Sequence, residues 1–247
     1  MKRDLPFDLN DPQLQAALAR KVAAAIELLS DIARRFAPAA LASSLGAEDM
    51  VLTDLIARHA PMIEIFTLDT GRLHAETYRL LQQMTDHYDL RIRVLCPSGE
   101  AVERLVAEHG INGFFNSVAS RKACCAVRKM EPLRRALAGK RAWITGLRRA
   151  QSLTRASLPL QEYDAANGLE KFSPLAGWRE QEVWAYLRAF GVPCNALHDR
   201  GFPSIGCEPC TRAVMPGEDI RAGRWWWEEP GGKECGLHPA ARRQAAG

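Results

Sequence analysis

The sequence contains no long hydrophobic run. Among its 247 residues, no stretch approaches the roughly 18 apolar residues that a membrane-spanning helix needs. Two basic residues, Lys2 and Arg3, follow Met1, but no apolar segment comes after them as it would in a secretory signal. We therefore expect a cytoplasmic protein with no membrane partner.

The sequence also carries little net charge. Lysine and arginine number 33 and the acidic residues number 29, which leaves a formal charge of +4. An excess this small does not by itself indicate binding to nucleic acid. We therefore predict no nucleic-acid partner.

A disulfide framework is not expected either. The seven cysteines are an odd number, and no export signal accompanies them. Metal ligation or thiol chemistry is the better explanation for their presence.

Short apolar runs alternate with amphipathic helical patterns along most of the chain. The apolar runs predict strands, and apolar spacing of three and four residues predicts helices. This alternation is typical of an α/β fold, in which helices cover both faces of a mostly parallel sheet. The predicted strands are 39–43, 62–68, 91–95 and 141–145, and the predicted helices are 11–36, 48–58, 73–87, 99–109, 122–137 and 178–190.

The pattern divides the chain into three parts. Residues 1–37 form a helical segment, and residues 38–200 form the α/β domain, although the pattern weakens after residue 155 and predicts no further strand. Residues 201–247 are rich in glycine, proline, cysteine and tryptophan and predict an irregular C-terminal segment.

Four cysteines form two pairs, Cys124 with Cys125 and Cys207 with Cys210. A Cys-x-x-Cys motif alone suits zinc, a redox dithiol or an iron–sulfur cluster. The adjacent pair favours a [4Fe–4S] cluster, because neighbouring side chains on a helix point roughly 100° apart and a cluster offers each thiolate its own iron. A zinc site and reduced structural cysteines remain as alternatives.

A further cysteine lies near the end of the chain. Cys235 belongs to a polar, glycine-containing segment, and Lys233 and His238 are close enough in sequence to favour its thiolate. A mobile tail of this kind can carry a reactive thiol to a ligand and then to a partner. The alternative is a surface cysteine of no consequence.

Three loops follow predicted strands and fall at one edge of the sheet, namely 43–49, 69–72 and 146–155. Backbone N–H groups at the start of a helix bind anions, and arginines such as those in 146–155 add positive charge. Ligands of parallel sheets bind beyond the carboxyl ends of the strands. Together the loops predict a nucleotide-sized anionic ligand.

The tryptophan run and the two remaining cysteines also allow predictions. The three adjacent tryptophans at 225–227 either wall a pocket, with Arg221 and Arg224 turned towards an anion, or plug the tail onto the sheet domain. Cys96 and Cys194 have no partner at ligand spacing, so we expect them to be buried small apolar residues.

Four motifs together resemble the sulfonucleotide reductases of assimilatory sulfur metabolism. They are Cys-Cys-x-x-Arg-Lys at 124–129, Gly-Cys-x-x-Cys at 206–210, Arg-Trp-Trp-Trp-Glu at 224–228 and Glu-Cys-Gly-Leu-His at 234–238. The resemblance covers most of residues 40–238 and implies an adenine-nucleotide α-hydrolase-like fold. Members with four cluster cysteines are similar to the adenylyl-sulfate (APS) type, so APS is the expected substrate. Phosphoadenylyl sulfate (PAPS), or both nucleotides, is the alternative.

The resemblance also implies roles for individual residues. Cys235 is the implied nucleophile, and a [4Fe–4S] cluster is implied on Cys124, Cys125, Cys207 and Cys210. The implied substrate-binding residues are Ser43, Asp49, Thr70, Arg128, Lys129, Gly146, Arg155, Arg221, Arg224 and His238.

In the mechanism that the resemblance implies, the Cys235 thiolate attacks the sulfur of APS and AMP leaves. Thioredoxin, or a glutaredoxin-like thiol donor, then releases sulfite for cysteine biosynthesis. A homo-oligomer is compatible with this function. Two alternative hypotheses are an ATP-dependent adenylating or thiolation enzyme of the same fold, and a non-catalytic cluster-binding module.

Overall fold

The central feature of the fold is a six-stranded sheet. The computed structural model describes residue 8 and residues 11–152, 155–215 and 217–229. Its strands, in chain order, are β1 Ala39–Ala42, β2 Glu64–Leu68, β3 Arg93–Leu95, β4 Ala142–Ile144, β5 Gln161–Asp164 and β6 Leu169–Phe172. The spatial order is β3-β2-β1-β4-β6-β5. All neighbours are parallel except β5, which is antiparallel to β6.

Helices cover both faces of this sheet. They are α1 Pro12–Arg35, α2 Ala47–His59, α3 Ala75–Tyr88, α4 Gly99–His109, α5 Val118–Cys125, α6 Glu131–Leu137 and α7 Glu180–Ala189. Helix α1 begins as the sequence predicts, because Asp11 caps it by accepting a hydrogen bond from Gln13 N–H at 2.9 Å. Together, the mostly parallel sheet and the helices on its two faces confirm the predicted α/β class.

The two faces of the sheet bury separate apolar cores. Within β1, Leu41 packs into the core formed with α1, α2, α3 and α7, whereas Ala40 packs against α6 on the other face. Ile144 and Trp143 of β4 divide in the same way. This alternation follows from the two-residue period of a strand and leaves the ends of the strands free to form a site.

The predicted helix over 122–137 is not continuous. α5 ends at the cysteine pair, a π-helical turn follows over Ala126–Met130, and α6 then begins. Pro132 accounts for the widened turn, because it has no N–H to donate and its ring crowds the carbonyl four residues earlier. The interruption lies directly beside the cysteines.

Strands β5 and β6 form a hairpin that the sequence analysis did not predict. Its chain reversal ends in Asn167-Gly168, where Gly168 has a φ of +71° and donates a hydrogen bond to Asp164 O at 2.7 Å. An Asn-Gly pair between two short runs is a recognised hairpin signal. The expectation of no strand after residue 155 was therefore wrong.

The C-terminal segment is irregular over its described residues, as expected. Isolated antiparallel bridges join Leu73 to Cys207 and Thr211 to Arg224, and they tie this segment to the start of α3 and to itself. Within the described ranges, no helix combines the length and the apolar character that crossing a membrane requires.

Candidate nucleotide cleft and cysteine pocket

A cleft of about 250 Å³ opens at the carboxyl ends of β1, β2 and β4. This is where a parallel sheet is expected to bind its ligand. Eight of the ten predicted substrate-binding residues line it, namely Ser43, Asp49, Thr70, Lys129, Gly146, Arg155, Arg221 and Arg224. The three predicted loops therefore meet in one site.

The loop after β1 is held by Asp49. Its Oδ2 atom accepts hydrogen bonds from Ser44 N–H and Ser44 Oγ, both at 2.6 Å. Burial raises the pKa of Asp49 to about 6, although these hydrogen bonds oppose the rise. A buried carboxylate thus fixes the loop that precedes α2.

Gly146 allows the loop after β4 to approach Asp49 closely. A Cβ atom at position 146 would collide with Asp49 Oδ1 and with Glu48 Cβ. Glu48 in turn accepts a hydrogen bond from Arg148 Nε at 2.8 Å, and Arg148 is buried. The first and third loops are therefore joined by direct contacts, and the role of Arg148 was not predicted.

His198 and Trp184 also line the cleft, and the sequence analysis gave neither a role. His198 is 2% exposed, its ring lies 5.2 Å from that of Trp184, and its Nδ1 is 2.8 Å from Phe202 O. An isolated histidine in an irregular segment gave no signal of this position. Trp184 of α7 and His198 of the 3₁₀ turn Ala196–Arg200 thus form one wall of the cleft.

The four paired cysteines line a second, smaller pocket. Cys124 and Cys125 come from the end of α5. Cys207 precedes the short 3₁₀ turn Glu208–Cys210 and Cys210 ends it, and the Leu73–Cys207 bridge holds this turn near the start of α3. Two segments far apart in sequence therefore converge on one pocket, and the role of their cysteines as cluster ligands stays a prediction.

The cysteine thiols lie in a desolvated environment. Burial raises the pKa of the Cys124 thiol above its usual value and that of Cys210 to about 12. A metal group bound here would displace their protons. Within the described ranges, no three Cys, His, Asp or Glu side chains are grouped as a metal-ion site.

The cleft and the cysteine pocket share two lining residues, Lys129 and Cys207. Lys129 belongs to the π-helical turn and lines both sites. Its neighbour Arg128 lines the cysteine pocket only and donates a hydrogen bond from Nη1 to Thr70 O at 2.6 Å. A role for Arg128 in holding substrate directly stays a prediction.

The tryptophans divide between the interior and the surface. Trp225 is 1% exposed and lines the cysteine pocket, whereas Trp226 is 50% exposed. The ring centroid of Trp225 lies 4.7 Å from the guanidinium of Arg121 and 4.9 Å from that of Arg224. Trp225 therefore forms part of the wall of the cysteine pocket, whereas Arg221 and Arg224 line the cleft.

Arg224 packs over a glycine. A Cβ atom at Gly206 would collide with the Arg224 guanidinium, which also contacts Ser204 Oγ at 3.3 Å and Ile205 O at 3.2 Å. Glycine in the Gly-Cys-x-x-Cys motif thus makes room for the arginine beside the cleft.

The expectation that Cys96 and Cys194 are buried was wrong. Both are exposed. Cys96 follows Leu95, the last residue of β3, and Cys194 lies in the loop between α7 and the 3₁₀ turn Ala196–Arg200. Cys235 and His238 lie outside the described residues.

The mostly parallel sheet, with a cation-bearing cleft at its carboxyl edge, defines an α/β protein with the adenine-nucleotide α-hydrolase-like fold. Residues 38–213 match the phosphoadenosine phosphosulfate reductase domain family. The chain belongs to this family of sulfonucleotide reductases.

Several curated relatives are similar to this chain. An adenosine 5'-phosphosulfate reductase of Allochromatium vinosum is 58% identical over 90% of this chain and 86% of its own length. One of Burkholderia cepacia is 56% identical over 91% of this chain and 90% of its own length.

Solved structures share the fold. A phosphoadenylyl-sulfate reductase from Candida auris, in a phosphate complex, superposes with a TM-score of 0.68 at 25% identity, covering 84% of this chain and 99% of that one. Yeast FAD synthetase in complex with FAD superposes with a TM-score of 0.59 at 16% identity, covering 84% and 70%.

Proposed function

We propose that this protein reduces APS to sulfite and AMP in sulfate assimilation, using two electrons from a thiol donor. Relatives that are identical at more than half of the aligned residues carry the name adenosine 5'-phosphosulfate reductase. The observation that carries the proposal is the contact between the cleft and the cysteine pocket, which share Lys129 and Cys207.

The proposed cofactor is a [4Fe–4S] cluster on Cys124, Cys125, Cys207 and Cys210. Their convergence on one pocket beside Arg128 supports it, since a cluster with four thiolates carries negative charge. When bound, the cluster supplies a fixed charge next to Lys129. The electrons for the reaction come from thiols instead.

The reaction begins at Cys235. Its thiolate attacks the sulfur of APS, an S–S bond forms, and the S–O bond to AMP breaks with its electron pair leaving on the phosphate oxygen. A donor thiolate then attacks Cys235 Sγ and expels sulfite, and the second donor thiol resolves the mixed disulfide. One dithiol is oxidised for each sulfite formed.

The cleft supplies positive charge for a reaction between two anions. Lys129, Arg155, Arg221 and Arg224 line it, so the phosphosulfate of the substrate lies among four cationic side chains. Cations fixed before the reaction stabilise the charge that moves onto the leaving phosphate. Ser43 and the loop that Asp49 holds contribute the nucleotide side of the site.

Thioredoxin, or a glutaredoxin-like protein, is the proposed donor, because the second step needs a dithiol that can reach Cys235. PAPS is a second candidate substrate, since the family description and the Candida auris enzyme both carry its name. The protein would then bind a 3′-phosphate in the same cleft.

The test is a sulfite assay on anaerobically purified protein with thioredoxin, with APS and PAPS supplied separately at equal concentration. We expect sulfite from APS at a rate at least ten times that from PAPS, and none from Cys235→Ser. A preference for PAPS would reassign the substrate. Pyrophosphate release from ATP without sulfite formation would favour an ATP-dependent adenylating enzyme instead.

A further inference from the structure

A buried ion pair joins the cysteine-bearing helix to the segment that leads into the C-terminal tail. Arg121 Nε and Nη2 donate hydrogen bonds to the two carboxylate oxygens of Glu228, at 2.6 Å and 2.8 Å. The two side chains are 1% and 4% exposed. A two-bond contact of this kind fixes direction as well as distance.

Arg121 lies on the same helix face as the cysteine pair. It precedes Cys124 by three residues and Cys125 by four, and residues at these spacings are neighbours on an α-helix. All three line the same pocket. The ion pair is therefore anchored directly beside the proposed cluster site.

Trp225 extends the connection to the cleft. The Arg121 guanidinium lies against the Trp225 ring, and the Trp225 backbone N–H donates a hydrogen bond to Cys210 O at 3.1 Å. Arg224, the residue before Trp225, contacts the same ring and also lines the cleft. One contiguous set of contacts thus runs from α5 through Glu228 and Trp225 to the substrate side.

We propose that the Arg121–Glu228 pair positions the origin of the tail so that the Cys235 thiolate meets the substrate sulfur. The inference rests on the proposed function. Seven peptide units separate Glu228 from Cys235, a span of at most about 25 Å when extended. A fixed origin limits the volume that the thiol samples, and proximity of this kind raises the rate of attack.

Stability alone is a poor explanation of the pair. Burying two charges costs about as much desolvation energy as their attraction returns, so a buried ion pair is weak evidence for stability. Its geometric precision and its place directly before the tail fit a positioning role. Neither residue touches the substrate in this account.

The test compares two adjacent glutamates. Glu228→Gln removes the buried charge, whereas Glu229→Gln removes an exposed charge one residue nearer to Cys235 and serves as the matched control. Anaerobic protein is mixed with APS without a donor, and the rate of sulfonate transfer to Cys235 is measured by mass spectrometry. Iron content and AMP affinity are measured on the same samples.

We expect Glu228→Gln to slow sulfonate transfer at least tenfold, with iron content and AMP affinity within twofold of the wild type. Glu229→Gln should behave as the wild type. Arg121→Lys should also slow transfer, because lysine keeps the charge but not the two-bond fork.

The inference is overturned if Glu228→Gln or Arg121→Lys transfers sulfonate at the wild-type rate. It is also overturned if the rate falls only together with iron content and AMP affinity, or if neither variant folds, because the pair would then serve stability. A wild-type protein that forms no adduct contradicts the proposed function instead, which separates the two failures.

Discussion

Thr70 Oγ1 lies 3.2 Å from Cys207 Sγ, so the loop after β2 contacts the cysteine pocket directly. The same threonine lines the nucleotide cleft, and its carbonyl oxygen accepts the hydrogen bond from Arg128. One residue therefore joins the loop after a core strand, the pocket cysteine and a cation of the π-helical turn. Binding in the cleft and the integrity of the pocket are expected to depend on each other at this point.

Thr70→Val tests that contact. Valine has nearly the same shape but no hydroxyl, so the hydrogen bond to Cys207 is lost while the packing remains. If Cys207 ligates the proposed cluster as a thiolate, loss of a hydrogen bond to it costs about 1.5–3 kcal/mol, and we expect kcat/KM for APS to fall about tenfold or more. Iron should also be released faster on exposure to air.

Thr70→Ser is the matched control, because it keeps the hydroxyl and should stay within a few-fold of the wild type. Equal iron release and equal kcat/KM in the valine and serine variants would show that the hydroxyl does not act on the pocket.

Cys124→Ser tests the proposed ligand set. The protein purified anaerobically should contain about four irons per chain, and the serine variant should lose both iron and sulfite formation. Cys96→Ser is the control, because Cys96 is exposed and does not line the pocket. Stoichiometric zinc in the wild type, or full iron in Cys124→Ser, would contradict the cluster.

Gly146→Ala tests the contact between the first and third loops. The added Cβ would collide with Asp49 Oδ1, so the loop after β1 must shift. We expect AMP to bind at least tenfold more weakly, with iron content unchanged because the cysteine pocket is not touched.

Gly99→Ala is the control for this substitution, since no atom lies within 4 Å of a Cβ atom placed there. Wild-type AMP affinity in Gly146→Ala would mean that Asp49 does not organise the nucleotide loop.

The titration of Asp49 gives a prediction on pH. Its pKa rises from 3.8 to about 6 in the folded protein, so the native state binds this proton more tightly than the unfolded chain. The contribution of this group to stability therefore declines as the pH rises between these two values, by about 3 kcal/mol in total.

Infrared difference spectra recorded during a pH titration measure this directly. The Asp49 band is the protonated-carboxyl band that the wild type shows and Asp49→Asn lacks. As the pH rises, this band should disappear with a midpoint near pH 6. A midpoint near pH 4 would show that the Asp49 carboxyl is not desolvated in solution.

The sequence predicted the sheet and the convergence of its loops well, because apolar spacing and strand alternation are local signals. It missed the hairpin of β5 and β6, in which polar residues such as Glu162 and Lys171 pair with each other and hide the strand pattern. The break after Cys125 was missed as well, because the helical spacing continues through it and only Pro132 marks the change.

The site residues that belong to short sequence motifs could be predicted. The contacts between residues that are distant in sequence could not. The four cysteines were assigned from their types and spacing. The pairing of Arg121 with Glu228 and that of Glu48 with Arg148 depend on the tertiary fold, because each joins residues about a hundred positions apart. The exposure of Cys96, just after β3, and of Cys194, in the loop after α7, likewise depends on the tertiary fold.

The most direct test of the account is the fate of the substrate sulfur before any donor is present. Anaerobic wild-type protein is mixed with APS alone, digested and analysed by mass spectrometry. The account predicts one sulfonate per chain, on the peptide that contains Cys235, with release of one AMP. A sulfonate on Cys96 or Cys194, or substantial sulfite formation by Cys235→Ser once thioredoxin is added, would contradict it.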